Sequence, residues 1–210
     1  MTERQFLKTA YDLGDLESTR AFYADWAETY DAEIKANGYA TPKRCAEALA
    51  GFVADKSRPI LDIGCGTGLS GIALKQVGFT RIDGTDLSQE MLDIATHREG
   101  PDGDIYAELF LGLARDPLPI PPGQYNHAAA IGVFSPGHAP PQTLNTVLGF
   151  LPAGGCFVFS MNDHALEDAA YTARIDQVIA DGVADQVFRE HGPHLPGIGL
   201  ESTVFVLRKR

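Results

Sequence analysis

Apolar side chains recur at helical spacing early in the chain and in short β-rich runs after residue 59, and this switch divides the sequence in two. Over residues 19–35, Phe22, Trp26 and Tyr30 stand four apart with Tyr23, Ala27 and Ile34 beside them, which predicts an amphipathic helix. Thr41-Pro42 reads as an N-cap followed by proline at the first helical position, where its missing N–H is harmless, and Cys45, Leu49, Phe52 and Val53 continue an apolar face. From Pro59 the pattern predicts strands near 59–63, 81–86, 105–111, 126–133, 156–161, 186–190 and 201–208, separated by helices near 69–77, 88–97, 141–150 and 165–181. Only His191 to Gly199 separates the last two strands, which is too short for a crossover helix, so these two pair antiparallel.

Composition narrows the class. A chain of 210 residues makes one domain with at most a small appendage. With 44% hydrophobic and 21% charged residues, neither a disordered nor a fibrous chain is expected. No apolar run reaches membrane-spanning length, and the start MTERQFLKTAYDL lacks a basic head followed by an apolar stretch, so a cytoplasmic location without a membrane partner is expected. Cys45, Cys65 and Cys156 match neither a zinc pattern nor a disulfide scaffold; reduced thiols and no metal site follow as expectations. A formal net charge of −11 disfavours phosphate-rich partners, so no nucleic-acid acceptor is expected. The cationic tip Arg208-Lys209-Arg210 reads as a solvated tail.

Candidate chemistry concentrates at residues 60–71, an apolar strand ending in Asp62, a loop with glycines at 64, 66 and 68, and then a helix. Side-chain-free positions let the main chain turn sharply and approach a ligand, while the helix that follows points unpaired N–H groups at the same spot. A dinucleotide fingerprint would place its third glycine where Leu69 stands, and Asp62 suits a cationic ligand better than a pyrophosphate. A nucleoside with a cationic tail fits this loop.

Asp62-Ile63-Gly64-Cys65-Gly66-Thr67-Gly68 resembles the first motif of the class I S-adenosylmethionine-dependent methyltransferases, and the resemblance covers about residues 20–208. It implies an α/β fold: a Rossmann-like, seven-stranded, mostly parallel sheet with an antiparallel last strand, helices on both faces and an N-terminal helical lid. Residues 1–56 would form that extension and residues 57–210 the cofactor-binding core. It also implies that the loop backbone at Gly64, Cys65, Gly66, Thr67 and Gly68 contacts S-adenosylmethionine, that Asp62 helps hold its methionine end, and that Asp86, closing the second strand next to Leu87, binds the ribose hydroxyls. Ser88 can cap the helix that follows. Further matches are the Gly112-Leu113-Ala114 loop, where the Leu113 backbone would read adenine, the strand end Ala130-Ile131-Gly132-Val133-Phe134, and the turn Leu151-Pro152-Ala153-Gly154-Gly155. The segments Trp26-Ala27-Glu28-Thr29-Tyr30-Asp31 and Gly38-Tyr39-Ala40-Thr41-Pro42 are similar to the small methyltransferase-like proteins of the Williams-Beuren region. Tyr30 and Tyr39 would then lie over the cofactor, where aromatic faces favour a sulfonium charge.

The expected function is methyl transfer from S-adenosylmethionine to a small-molecule acceptor. His138, in the loop after the fourth strand, is the expected general base; His191 and His194 are weaker candidates for the same pocket. Asn162-Asp163-His164 is not the Asn-Pro-Pro-aromatic motif of amino-methylating nucleic-acid enzymes. Two alternatives stay open at this point: a noncatalytic S-adenosylmethionine-binding regulator and a nicotinamide-dependent oxidoreductase.

Overall fold

The computed structural model describes residues 16–100, 103–112, 120–135 and 138–210. Leu113 and the side chains of Tyr23 and Glu28 lie outside them. The first helix, α1 (Leu16–Ala36), is followed by α2 (Thr41–Ala50). Strand and helix then alternate through β1 (Ile60–Ile63), α3 (Leu69–Gln76), β2 (Ile82–Asp86) and α4 (Gln89–Thr96). A small antiparallel ribbon, β3 (Glu99–Gly100) with β4 (Gly103–Asp104), precedes β5 (Leu109–Leu111) and β6 (His127–Phe134). The chain ends through α5 (Thr143–Phe150), β7 (Cys156–Asn162), α6 (Asp163–Glu167), α7 (Ala169–Ala180), β8 (Ala184–Leu195) and β9 (Leu200–Lys209).

Among the described residues, seven strands form one sheet in the order β5-β2-β1-β6-β7-β9-β8. β1 pairs in parallel with β2 and β6, and β6 with β7, whereas β9 runs antiparallel to both β7 and β8. The reversed strand is therefore the last in the chain but is inserted second from the edge of the sheet. Alternate residues face opposite layers: Leu61, Ala128, Ala130, Phe157 and Phe159 pack with α5 and α7, while Ile60, Ile82, Ala129 and Val158 pack with α2, α3 and α4. Helical cover on both faces explains why β1 and β7 read as nearly unbroken apolar runs. No described helix is long and apolar enough to cross a membrane.

Several local expectations change. Residues 105–108 are not strand, because Ile105 and Tyr106 turn inward against Gly71 and Gly84 instead of joining the ladder. Thr41 does not cap α2: Ala40 occupies that position in helical geometry, Pro42 lies within the first turn, and the Thr41 hydroxyl bonds His194 Nδ1 at 2.7 Å and Ser202 Oγ at 3.2 Å. The helix expected at 165–181 begins at Asp163 and breaks at Asp168, whose carboxylate accepts from Ala170 N–H and starts α7 afresh. β8 runs on through His191, Pro193 and His194, residues expected in a loop. As an edge strand it tolerates a proline that cannot donate to the ladder. Ser88 does cap α4, accepting from Met91 N–H at 3.2 Å.

Candidate active site at the glycine loop

At the carboxyl end of β1 the chain reverses through three left-handed glycines, Gly64 (φ 66°), Gly66 (φ 54°) and Gly68 (φ 95°), the last at the N-cap of α3. Gly64 and Cys65 N–H both bond Thr85 O, at 2.7 and 3.0 Å, which ties the loop to β2. The glycines differ in their surroundings. A Cβ on Gly64 would lie 2.5 Å from Val133 Cγ2, so that position is closed by β6, whereas a Cβ on Gly66 would meet nothing within 4 Å. Gly66 is the open floor of a cradle.

Two carboxylates support it from different depths. Asp86, ending β2, accepts from Gly66 N–H at 2.9 Å through one oxygen and from Ser88 N–H at 3.0 Å through the other. Burial raises its pKa and these backbone donors oppose the rise. Asp62 is fully buried beneath the loop, where Ser70 Oγ (2.6 Å) and Tyr106 OH (2.8 Å) donate to one oxygen and the other has no partner among the described residues. Burial pushes its pKa up to about 7, against those two hydrogen bonds. Cys65 is buried as well, and burial together with the Asp62 and Asp86 charges raises its thiol well above the ordinary value, so the thiol stays protonated.

The N-terminal helix reaches the same loop. Asp31 on α1 accepts from Thr67 Oγ1 at 2.6 Å and pairs with Arg98, whose Nε donates to Thr67 O at 2.7 Å. A small cavity of about 30 Å³ lies between the loop and Tyr30 and Tyr39, lined also by Leu69, Ser70 and Ile131. Tyr30 stacks edge-on against Trp26, with ring centroids 4.7 Å apart. The structure thus gathers the candidates Tyr30, Tyr39, Gly64, Cys65, Gly66 and Thr67 around one cavity, with Asp86 touching it through Gly66 N–H. Gly68 instead faces Arg98 and Tyr106, Leu87 is half-buried against the α5–α7 side of the core, and Gly132 meets the site through the Tyr39 hydroxyl.

His138 does not line the cavity; its Nδ1 bonds Ser135 Oγ at 2.8 Å in the turn after β6. His191 and His194 do not share its position. His191 sits between Asp163 (2.9 Å) and Glu201 (3.8 Å), while His194 is buried against Tyr39. Asp31, Ser70, Arg98 and Tyr106 are site residues that sequence reasoning missed. Ser70 alone carried a local signal, as a hydroxyl in the first turn of the helix that follows the loop.

The two carboxylate acceptors suit a nucleoside with a cationic tail. Gly66 leaves open space over the loop, the partnerless Asp62 oxygen calls for a donor, and Asp86 can accept further bonds. Residues 60–155 match the family model described as "Methyltransferase domain". Joined to this fold and loop, that match supports an S-adenosylmethionine-dependent methyltransferase with S-adenosylmethionine as its cofactor. The chain is 29% identical over 185 residues to human "Methyltransferase-like protein 27", covering 86% of this chain and 74% of that one. It is 38% identical over 101 residues to the 18S rRNA (guanine-N(7))-methyltransferase of Bos taurus (48% and 32% covered). It is also 32% identical over 130 residues to the 18S rRNA (guanine(1575)-N(7))-methyltransferase of Saccharomyces cerevisiae (55% and 46%). In fold it resembles the putative methyltransferase solved with the Trm112 activator from Haloferax volcanii, with TM-score 0.65, 19% identity and 88% and 96% of the two chains covered. It also resembles the magnesium protoporphyrin IX methyltransferase of Synechocystis with bound S-adenosylhomocysteine, with TM-score 0.59, 13% identity and 80% and 83% covered.

These relatives overturn the expectation that nucleic acid is excluded, since two of them act on 18S rRNA. The physical fault lies in reading a net charge of −11 as a local property. The groove beside the glycine loop is lined by Lys35, Lys43 and Arg98 with one acid, Asp31, so the acidic balance is carried on other faces.

Proposed function

We propose that S-adenosylmethionine lies along the Gly64–Gly68 loop, that Asp86 holds its ribose hydroxyls and Asp62 its ammonium end, and that the methyl group passes to a small-molecule acceptor. When bound, the cofactor supplies a methyl carbon already activated by its sulfonium. Asp86 keeps lone pairs for a diol beyond its bonds to Gly66 and Ser88 N–H. Asp62 ionises as pH rises through about 7, so it meets a cation best above that value.

Within the 1–56 extension α1 acts as the lid on the 57–210 core, while α2 packs against the sheet. Tyr30 and Tyr39 present aromatic faces to the cofactor's positive centre and exclude water from the transfer. The cavity of about 30 Å³ is smaller than any nucleoside, so α1 swings outward to admit the cofactor, breaking and remaking the Asp31–Thr67 bond. An amine or alcohol acceptor must lose a proton, and His138, oriented by Ser135 outside the cavity, takes it if the acceptor reaches the turn after β6.

The observation that carries this reading is the enclosure of the glycine loop by two tyrosines from the N-terminal segment, which leaves the reacting group a narrow approach. A second reading, transfer to a guanine in RNA, is favoured by the two rRNA-methylating relatives; N7 of guanine attacks through a lone pair and needs no base. Radiolabelled S-adenosylmethionine incubated with a metabolite extract and with total RNA separates the two. Label is expected in the small-molecule fraction and absent with Asp86→Ala, which also weakens S-adenosylhomocysteine in calorimetry by about tenfold or more. Label in RNA alone overturns the small-molecule acceptor.

A further inference from the structure

Tyr39 is clamped from a part of the chain that carries no methyltransferase motif. It lies in the short connection between α1 and α2, and that connection is docked on the end of the β8–β9 hairpin. Ala40 N–H bonds His194 O at 3.0 Å, and Gly197 N–H bonds Asn37 O at 3.0 Å, so the backbone is tied on both sides of Tyr39. The approach is close enough that a Cβ on Gly197 would lie 2.9 Å from Asn37 Cα.

The side chains repeat this arrangement. The His194 ring meets Tyr39 edge to face, centroids 5.2 Å apart at 83°, and its Nδ1 is engaged by Thr41 Oγ1, itself 3.2 Å from Ser202 Oγ on β9. Arg44 of α2 donates to Pro193 O, Ser202 O and Glu190 O and locks the hairpin to the helix that carries Thr41. At the other end of the tyrosine, the hydroxyl lies over Gly132, where a Cβ would come within 2.6 Å of it. Gly132 adopts φ 74° and its N–H bonds Ser160 Oγ at 2.9 Å, so the notch that receives the hydroxyl is itself fixed. His194 is 6% exposed, and burial with the neighbouring Arg44 charge holds it near 4, so it adds no positive charge beside a cationic cofactor.

We propose that His194 is the positioning residue for Tyr39, setting the ring of that tyrosine over the glycine-loop cavity from the β8–β9 hairpin. This rests on the proposed cofactor site. His194 touches neither cofactor nor acceptor; it acts through the tyrosine, and Gly132 sets the depth to which the hydroxyl descends.

A double-mutant cycle tests it, with S-adenosylhomocysteine affinity measured by calorimetry and a thermal melt on every protein. Tyr39→Ala and His194→Ala are each expected to weaken binding about tenfold. The double variant is expected to bind no more weakly than Tyr39→Ala within about twofold, because the histidine acts only through the tyrosine. His194→Phe, which keeps a ring edge against Tyr39 and loses the Thr41 bond, is expected to recover most of the lost affinity even where its melting temperature stays low. A loss from His194→Ala that persists undiminished in the Tyr39→Ala background, or no recovery with phenylalanine, overturns the assignment while leaving the cofactor site intact. Wild-type protein that fails to bind S-adenosylhomocysteine overturns the cofactor site and the assignment together.

Discussion

The two walls of the glycine-loop cavity are built in opposite ways. The loop wall, Gly64 to Gly68, is local: three left-handed glycines, a helix start and a strand end within a few residues, held by bonds to Thr85 and Asp86 on the adjacent strand. The aromatic wall, Tyr30 and Tyr39, comes from the start of the chain and is held by its end, through Leu195, His194 and Leu200. A wall whose shape is set by backbone dihedrals is preorganised. In the second wall Tyr39 is tied by flanking backbone bonds to the β8–β9 hairpin, so the part that can leave and return is α1 with Tyr30, held to the loop through Asp31 and Thr67.

The largest expected effect breaks the local wall. Gly64→Ala places a Cβ 2.5 Å from Val133 at φ 66° and should destabilise the fold by about 2–4 kcal/mol, read as a melting temperature lower by about 5–10 °C. Gly66→Ala meets no protein atom, so it should cost only about 1–2 kcal/mol of backbone strain, yet intrude on the cradle and weaken S-adenosylhomocysteine more than it weakens the fold. Equal losses from the two variants, in melts and calorimetry, would remove the distinction between closed and open glycines.

A smaller effect concerns the tie between the walls. Asp31→Asn keeps an acceptor for Thr67 and loses the charge facing Arg98, so S-adenosylhomocysteine should dissociate several-fold faster in stopped-flow measurements. Raising the salt concentration should bring wild type toward the variant. Identical off-rates at all salt concentrations would show that this contact does not hold α1 down.

The smallest effect is on pH dependence. Burial lowers both His194 and His127 from 6.5 to about 4. Both stay neutral in the fold while the unfolded chain takes up protons, so their contribution is intact above pH 6.5 and is lost as pH falls toward 4. Asp62, raised from 3.8 to about 7, has the opposite sign: its contribution is full below 3.8 and is lost as pH rises through 7. Denaturant melts between pH 4 and 8 should show a shallower acid loss in His194→Phe and a steeper rise with pH in Asp62→Asn. Parallel profiles for all three proteins would contradict these protonation states.

The legible parts of the sequence were those whose cause is local. Alternating glycines after an apolar strand need left-handed backbone, and Ser88 before α4 needs no more than its own helix to act as a cap. The doubly covered sheet follows from the spacing of apolar runs and helices. Local rules misled where a distant partner competed for the same group. Thr41 has the chemistry of an N-cap, but His194 and Ser202 take its hydroxyl. Tyr106 has strand propensity, but the buried Asp62 carboxylate needs its O–H. The net charge, a sum over the whole surface, carried no information about the basic groove beside the loop.

The order of residues alone therefore determined the class of fold and the place of the cradle, because backbone dihedrals and strand periodicity act over a few positions. Tertiary structure decided which groups complete the site: Asp31 and Arg98 fastening the loop, Ser70 and Tyr106 satisfying Asp62, and His194 meeting Tyr39. Buried polar groups must find partners wherever the fold brings them, and no short-range pattern in the chain encodes which ones they meet.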